Sequence, residues 1–357
     1  MINEDEKKRY LEKDMAIAIK EILDVYPSKP TAILLCGGYG RDEGAWYIYD
    51  GKLSTYNDYD FAVISEYKLT NNEYQNLRRR IAELVNISWI DIAFYKPNYF
   101  KHLKPTIKNV DLLYASKVLF GDSAFLKKYN INAARIGTAD ILKLFKTRLW
   151  TFLGSWKGDF RDLDIQEARF FKNQMAKAIL AACDMLLIKH RKYTPSYVSR
   201  VNLVGHIYKE NENACKLSKW AIREKLEPSS NNLTKIEMEK LYWEVRDFFL
   251  WALNEACPKI LKATRSKFSY LRFLYFHSDV MLHICYEAIC KRSTRSKRVA
   301  ELSYAQVCVF LAMEQNTRDS KKINEANSIL LRQKYIDKPT NDWNSLREVV
   351  AYARNNV

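Results

Sequence analysis

Three aspartates in the N-terminal part of the chain have the residue type and spacing of a cation site. Asp58 and Asp60 flank a tyrosine just before the apolar run 61–64, and Asp91 lies between two isoleucines in a second apolar run. Residues i and i+2 of a strand project to the same face, so Asp58 and Asp60 are expected to point together, about 5–7 Å apart. Carboxylates this close repel each other unless a cation lies between them, and Asp91 on a neighbouring strand would complete an oxygen-rich Mg²⁺ site. Three solvated acids in turns or at a sheet edge are the alternative.

A glycine-rich turn precedes these acids along the chain. The apolar run 31–36 has the length of a strand, and the segment 37–43 that follows it reads Gly-Gly-Tyr-Gly-Arg-Asp-Glu. Gly37 and Gly38 carry no side chain, so their backbone can approach a triphosphate, and N–H groups at the start of a following helix can meet its negative charge. A plain tight turn between a strand and a helix is the alternative interpretation.

The hydrophobic pattern predicts the elements that carry these residues. Apolar positions at helical spacing predict a helix over 5–26, and a strand over 31–36 leads into the glycine turn. A hairpin over 46–53 with an Asp-Gly turn, the strand of Asp58 and Asp60, a helix over 71–86 and the strand of Asp91 follow. A helical turn and a last strand over 111–122 close the sheet. This succession predicts an α/β (α+β) domain with a small mixed sheet over residues 1–135.

The pattern changes after residue 136. Long stretches with a period of 3.6 residues follow one another with almost no strand signal, and Pro195, Pro228 and Pro258 fall in the links between them. Residues 136–357 are therefore predicted to form an all-α helical domain. The predicted helices cover residues 139–157, 164–191, 212–225, 234–256, 268–291, 301–315 and 318–334.

Composition narrows the class of protein. The 357 residues are enough for two domains, and no apolar stretch reaches the roughly 18 residues that a membrane span needs. Seven cysteines form no CxxC pair, and Cys36, Cys183, Cys285 and Cys308 lie in apolar surroundings, which is typical of buried thiols in a reducing compartment. The charged N-terminus resembles no targeting signal, so a cytoplasmic protein with no membrane partner is expected. The net charge of +16 is concentrated after residue 150, where 35 Lys and Arg face 23 Asp and Glu, and this surplus favours polyanionic partners.

Together, the glycine turn and the Asp-x-Asp strand resemble the nucleotidyltransferase fold of the DNA polymerase β superfamily. The turn is similar to the Gly-Gly-Tyr-Gly-Arg-x-Glu motif of PII-protein uridylyltransferases, and residues 58–63 are similar to their Asp-x-Asp strand. The resemblance covers residues 30–95, with 20 residues between Gly38 and Asp58 and the hairpin as an insertion. The chain has no room for the hydrolase and regulatory domains of the uridylyltransferases, so the resemblance implies their chemistry and not their PII substrate.

The resemblance implies a reaction and a set of site residues. The reaction is transfer of a nucleoside monophosphate from a nucleoside triphosphate (NTP) to a hydroxyl acceptor, with release of pyrophosphate. Asp58, Asp60 and Asp91 would be the catalytic residues and the ligands of two Mg²⁺ ions, with Mn²⁺ as a substitute, and Asp91 would also be the general base. Arg41 either contacts phosphate or braces the turn through an ion pair with Glu43. The implied nucleotide-binding residues of the turn are Gly37, Gly38 and Arg41.

A second constellation lies on the helix predicted over 164–191 and just after it. Lys177 and Asp184 are two helical turns apart and therefore on one face. Relatives with a helical second domain carry a lysine on this helix and a Ser/Tyr pair after it. The resemblance therefore implies that Lys177, Ser196 and Tyr197 bind nucleotide, the lysine through triphosphate oxygens. The alternative places Lys177 and Asp184 on a solvated face and Tyr197 in the core. Lesser candidates are Arg169 and Lys172.

The acceptor stays open among several classes. The basic second half favours RNA, such as a tRNA end, whereas antibiotic-modifying and regulatory relatives favour a small molecule or a protein side chain. A nucleotide acceptor would give a signalling oligonucleotide. The non-enzyme alternative is a nucleic-acid-binding or toxin–antitoxin-like module on the same fold. The basic segment 291–298 either contacts a nucleic-acid backbone or is a solvated helix end, and the aromatic residues of 268–276 are interpreted as helical core.

Overall fold

The computed structural model describes residues 4–49, 52–56, 58–156, 163–229, 233–258, 295–312 and 320–353. Two compact units are present. The sheet unit comprises Met1–Ile136, Arg191–Asn202 and Ile222–Pro228, and the helical unit comprises Gly137–His190, Leu203–Ala221 and Ser229–Val357. The sequence was divided once, after residue 135, whereas in the structure two short segments from the second half of the chain belong to the sheet unit.

The sheet unit contains a small mixed sheet. Its strands lie in the order β5-β4-β1-β6, with β4 and β5 parallel and the other two pairs antiparallel. The remaining two strands form a separate antiparallel hairpin, as predicted for residues 46–53, whose turn residues 50 and 51 lie outside the described chain. The strands are β1 (Ala32–Cys36), β2 (Trp46–Tyr49), β3 (Lys52–Thr55), β4 (Tyr59–Ile64), β5 (Ile90–Tyr95) and β6 (Lys117–Gly121).

Helices cover one face of this sheet. The helices are α1 (Glu4–Val25), α2 (Gly37–Gly40), α3 (Asn71–Leu84) and α4 (Ile107–Tyr114). α3 begins at a capping box, in which Thr70 and Glu73 bond reciprocally to each other's backbone N–H groups. Met15 of α1 and Ile81 of α3 belong to the same buried cluster as Phe61 of β4. α1 and α3 therefore supply the hydrophobic cover that the sheet needs.

The alternation of side chains along the strands places the acids on the other face. Tyr59 and Phe61 of β4 and Ile92 of β5 are buried in the cluster beneath α1 and α3. Successive side chains of a strand point to opposite faces, so Asp60 and Asp91 lie on the face away from these two helices. β4 and β5 run in parallel with Asp60 directly opposite Asp91. The sheet itself therefore brings these two carboxylates together.

The helical unit contains no strand among its described residues, as the sequence predicted. Its core is aromatic: Phe152 stacks on Tyr242 with ring centroids 4.3 Å apart, and Phe310 packs edge-on against both Phe152 and Phe249. The helix predicted over 268–291 and the aromatic residues of 268–276 lie outside the described residues. The helices of the second half are α5 (Thr138–Ser155), α6 (Ile165–Lys189), α7 (Tyr197–Ile207), α8 (Glu212–Leu226), α9 (Lys235–Ala256), α10 (Arg295–Ala312), α11 (Ser320–Arg332) and α12 (Trp343–Tyr352).

Two predictions from composition can be compared with the structure. In the part of the chain that the structure describes, no helix is long and apolar enough to cross a bilayer. Among the cysteines singled out, Cys183 and Cys308 are buried as predicted, Cys36 is only half-buried, and Cys285 lies outside the described residues.

Candidate metal and nucleotide site

The structure brings together the three aspartates that the sequence singled out. Asp58, Asp60 and Asp91 each offer a carboxylate oxygen, and these oxygens lie within 4.8 Å of one another. Asp60 and Asp91 are opposed in the parallel pair β4 and β5, and Asp58 immediately precedes β4. Hard divalent cations such as Mg²⁺ and Mn²⁺ prefer oxygen ligands of this kind, so the donor set fits either ion.

Asp60 has an electrostatic environment that favours a bound cation. Burial raises the pKa of its carboxyl group to about 7, and repulsion from Asp58 and Asp91 adds to the rise. Arg41 and Lys225 act in the opposite direction. Without an ion, the negative charge of Asp60 is therefore costly at neutral pH, and a divalent cation among the three carboxylates would remove that cost.

Gly37 makes room for Asp60. Its backbone has the left-handed φ of +63°, and a Cβ built on it would lie 2.0 Å from Oδ2 of Asp60. The Asp60 carboxylate thus occupies the space that any other side chain at position 37 would take. Gly38 lies in the same short helix, α2, and its carbonyl accepts a hydrogen bond from the Glu43 N–H at 2.8 Å. Approach of these glycines to a triphosphate stays a prediction.

Asp91 is held by two side chains that the sequence did not single out. Its Oδ1 accepts hydrogen bonds from Nη2 of Arg78 at 3.2 Å and from Nε1 of Trp89 at 3.1 Å. The Arg78 guanidinium lies 3.8 Å from the centre of the Trp89 ring, and its Nε donates to the Ile90 carbonyl at 2.6 Å. These contacts fix the direction of the Asp91 carboxylate and leave Oδ2 for a cation or a hydroxyl proton. Trp89 could have been recognised from its i−2 position relative to Asp91.

We expect Trp89→Phe to weaken metal binding about tenfold, the range for loss of one partner that orients a metal ligand. Phenylalanine keeps an aromatic ring beside Arg78 but cannot donate to Asp91. The measurement is titration with Mn²⁺, followed by the electron paramagnetic resonance signal of the free ion. Trp220→Phe in the helical unit is the matched control. An unchanged Mn²⁺ affinity for Trp89→Phe would show that this hydrogen bond does not orient the carboxylate.

The glycine turn is bound to the segment that begins α7. Both carboxylate oxygens of Glu43 are used: Oε1 accepts from Oγ of Ser196 at 2.8 Å and from the Val198 N–H at 3.1 Å, and Oε2 accepts from the Tyr197 N–H at 2.8 Å. Glu43 therefore caps the first turn of α7, satisfying N–H groups that have no partner inside the helix. Ser196 and Glu43 are more than 150 positions apart in the sequence, so no local pattern indicates this contact.

Arg41 joins the same network. Its side chain is 9% exposed, forms ion pairs with Glu43 at 3.6 Å and Asp111 at 3.3 Å, and lies over the Tyr197 ring. Asp111 also accepts from Nη2 of Arg200 at 3.1 Å. The bracing ion pair between Arg41 and Glu43 is present, and contact of Arg41 with phosphate stays a prediction. Ser196 and Tyr197, predicted to bind nucleotide, contact Glu43 and Arg41 here, and their binding of nucleotide stays a prediction.

The other lysine side chains near the predicted site belong to different units of the structure. Lys177 lies on α6 of the helical unit and is half-buried, and its contact with a triphosphate stays a prediction. The solvated face suggested for Lys177 and Asp184 is wrong for Asp184, which is buried. Lys172 is buried and donates to the carbonyl and hydroxyl of Ser229, so its ammonium group has a structural role. Lys225 of α8, which carried no motif signal, is a buried cation of the sheet unit that lowers the pKa of Asp60.

The arrangement can hold a divalent cation and activate a nucleophile at one place. Three convergent carboxylates supply the ligands, one of them is oriented by Arg78 and Trp89, and the glycine turn lies against another. Comparisons of the chain with known protein families, with curated proteins and with solved structures find no match. The functional interpretation therefore depends on the residues of this site.

Proposed function

We propose that the chain is a Mg²⁺-dependent nucleotidyltransferase. It moves a nucleoside monophosphate from an NTP to a hydroxyl acceptor and releases pyrophosphate. The observation that carries the proposal is the convergence of Asp58, Asp60 and Asp91 within 4.8 Å on one face of a mixed sheet, beside a glycine turn. The resemblance of the two motifs to the DNA polymerase β superfamily supports the same reaction.

In this reaction the protein mainly positions groups and compensates charge. Asp58, Asp60 and Asp91 would hold two Mg²⁺ ions, or Mn²⁺ in their place. When bound, these ions would neutralise charge on the phosphates and favour ionisation of the acceptor hydroxyl. Asp91 accepts the hydroxyl proton at Oδ2, because Oδ1 is already bonded to Arg78 and Trp89. Gly37 and Gly38 would present backbone to the triphosphate.

The test is transfer of label from each α-³²P-labelled NTP in the presence of Mg²⁺ and total cell extract. The wild-type protein is expected to release pyrophosphate and to transfer label to RNA, protein or low-molecular-weight compounds. Asp60→Ala should do neither, because it removes the ligand at the centre of the carboxylate cluster. Asp24→Ala, at an exposed position on α1, is the control and should keep the full rate. Full pyrophosphate release by Asp60→Ala would refute the proposal.

An RNA acceptor is the second candidate, and the net charge of +16 is the observation that favours it. Phosphate contacts by Lys and Arg release counterions, so binding of RNA should weaken steeply as salt is raised. Weak binding that does not depend on salt would count against RNA. A non-catalytic nucleic-acid-binding module is less well supported. Loss of a single aspartate would be enough to abolish catalysis, and all three aspartates are present.

A further inference from the structure

A run of positively charged residues follows the strand that carries Asp91. Residues 92–110 contain no Asp or Glu, and all four of their lysines are exposed. Most protein surfaces intersperse charges of both signs, whereas a surface of one sign produces a local positive potential that attracts anions. The lysine surface is formed by Lys96, Lys101, Lys104 and Lys108.

The two acids that flank this run in the sequence are paired with other cations. Asp91 forms an ion pair with Arg78 at 3.2 Å, and Asp111 forms one with Arg200 at 3.1 Å. Among the residues whose positions are described, no carboxylate forms an ion pair with any lysine of the lysine surface. The positive charge of this surface is therefore available to an anionic partner.

Side-chain contacts hold the backbone of this run in place. Its first part is a 3₁₀ helix (Pro97–His102). The Tyr99 hydroxyl donates to Oδ1 of the buried Asn109 at 2.6 Å, and Nδ2 of Asn109 donates to the Lys104 carbonyl at 3.0 Å. The rings of Tyr95 and Tyr99 lie 4.9 Å apart between their centres. The backbone that carries the lysines is thus pre-organised, which lowers the entropic cost of binding a partner.

The lysine surface adjoins the face of the sheet that carries the carboxylates. Side chains alternate along β5, so Tyr95 projects to the same face as Asp91, with about 13 Å between their Cα atoms along the strand. Nζ of Lys108 lies 4.9 Å from the centre of the Tyr95 ring, so this lysine is also on that face. A polyanion bound to the lysines would therefore lie on the same side of the sheet as the aspartates.

We propose that the lysine surface binds the phosphate backbone of single-stranded nucleic acid. The inference goes beyond the net charge of the chain, because it assigns the contact to a defined surface of the sheet unit, and it does not depend on the transfer reaction. Ammonium groups that contact phosphates release condensed counterions and bind without regard to sequence. Tyr99 lies among the lysines and is 37% exposed, so an unpaired base can stack on its ring.

The composition of this surface favours a polynucleotide over a lipid bilayer. A surface segment that binds an anionic membrane generally buries an apolar face among the head groups. Within residues 96–108, all of which the structure describes, Tyr99 is the only exposed large hydrophobic residue, and its hydroxyl is bonded to Asn109. Cations together with an aromatic ring are the combination by which proteins bind single strands.

The test removes three charges from the lysine surface of the full-length protein. Lys101→Gln/Lys104→Gln/Lys108→Gln replaces three exposed ammonium groups by neutral side chains that still interact with water, so folding should be preserved. The probes are a fluorescent single-stranded RNA and a DNA of the same sequence. Binding is followed by fluorescence anisotropy at a series of salt concentrations. EDTA is present and NTP is omitted, so that neither a metal ion nor the transfer reaction contributes.

The matched control removes the same charge elsewhere in the sheet unit. Lys13→Gln/Lys20→Gln/Lys29→Gln changes three exposed lysines on α1 and in the loop after it. α1 covers the face of the sheet opposite the carboxylates, so this variant lowers the net charge equally and leaves the lysine surface intact. Equal melting temperatures of the two triple variants and wild type verify that both are folded.

Wild type and the control should bind both probes with similar affinity. Each phosphate contact to a single strand contributes about 0.7 to the slope of log affinity against log salt concentration. Loss of three contacts should therefore reduce the slope by about 2 and weaken binding about a hundredfold at 0.1 M salt.

Three results would overturn the proposal. They are no binding of either probe by wild type, equal losses of affinity in the two triple variants, and loss of binding only to phosphatidylserine vesicles in the lysine-surface variant. None of these results bears on nucleotidyl transfer, because that reaction is judged by pyrophosphate release and its dependence on Asp60.

Discussion

Asp60→Asn should abolish the reaction and, without a divalent ion, make the protein more stable at pH 8. The activity loss should exceed about a hundredfold, the upper range for losing a partner that merely supports a metal ligand. The stability gain follows from the position of Asp60, which is half-buried between Asp58 and Asp91: desolvation and repulsion from the two carboxylates raise its pKa to about 7. Asparagine has nearly the same shape and carries no charge to bury.

The contribution of Asp60 to the stability of the ion-free protein is expected to decrease as pH rises. In the folded, ion-free protein Asp60 keeps its proton up to about pH 7, whereas in the unfolded chain it ionises near its ordinary pKa of 3.8. The folded state therefore binds more protons between these values, and the stability that Asp60 contributes is complete below pH 3.8 and lost as pH rises through 7. In EDTA, the melting temperature of wild type should fall by this increment as pH rises from about 4 to about 7, and that of Asp60→Asn should not.

At pH 8, divalent ions should raise the melting temperature of wild type above that of Asp60→Asn. Mg²⁺ binds the ionised carboxylates of the folded protein and should raise the wild-type melting temperature, with no comparable rise for Asp60→Asn. Asp24→Asn makes the same substitution at an exposed position and should behave as wild type under all these conditions. Equal responses of wild type and Asp60→Asn to Mg²⁺ would show that the three carboxylates do not bind the ion.

The second large effect is expected for Glu43→Ala. The substitution leaves the N–H groups of Tyr197 and Val198 and the buried Arg41 guanidinium without the carboxylate that they share. Breaking a buried, hydrogen-bonded ion pair from one side costs about 3–5 kcal/mol. Hydrogen exchange of the Tyr197 and Val198 amides should therefore accelerate by at least about a hundredfold, at 1.4 kcal/mol for each factor of ten.

Glu43→Gln is the conservative comparison. Glutamine keeps one carbonyl oxygen that can accept from the helix N-terminus but loses the charge opposite Arg41, so its effect should be smaller than that of alanine. Amide exchange in β4 reports whether the whole sheet unit has been destabilised. Equal protection of the two amides in wild type and Glu43→Ala would contradict the capping role.

Local pattern was enough to predict the mixed sheet and the acids on it. Alternation in β4 and the apolar run of β5 determine which side chains face α1 and α3, and Asp60 and Asp91 are thereby assigned to the opposite face. The short hairpin β2–β3 was predicted for the same reason, since neighbouring residues form it. These features depend on contacts within or between adjacent elements.

Several missed features depend on residues that are distant in sequence or on side-chain geometry. α7 is short, and its first turn is capped by Glu43, so its own sequence carried too weak a signal. Lys225 has no motif, and its relation to Asp60 follows only from the fold. Gly37 was recognised as part of a turn, but its contact with Asp60 depends on the register of β1 and β4, where Cys36 pairs with Asp60.

The Glu43 and Asp111 contacts also set an order of events during synthesis. Ser196, Tyr197 and Arg200 leave the ribosome more than 80 residues after Asp111. Of the charged partners that the described residues provide for Arg41 and Glu43, only these two residues themselves and Asp111 have been synthesised by then. A nascent chain that ends near residue 135 contains all six strands of the described residues but lacks the residues that bond to Glu43 and Asp111. We therefore expect a genetic fragment ending there to be a poor substitute for the full protein, however well its sheet folds.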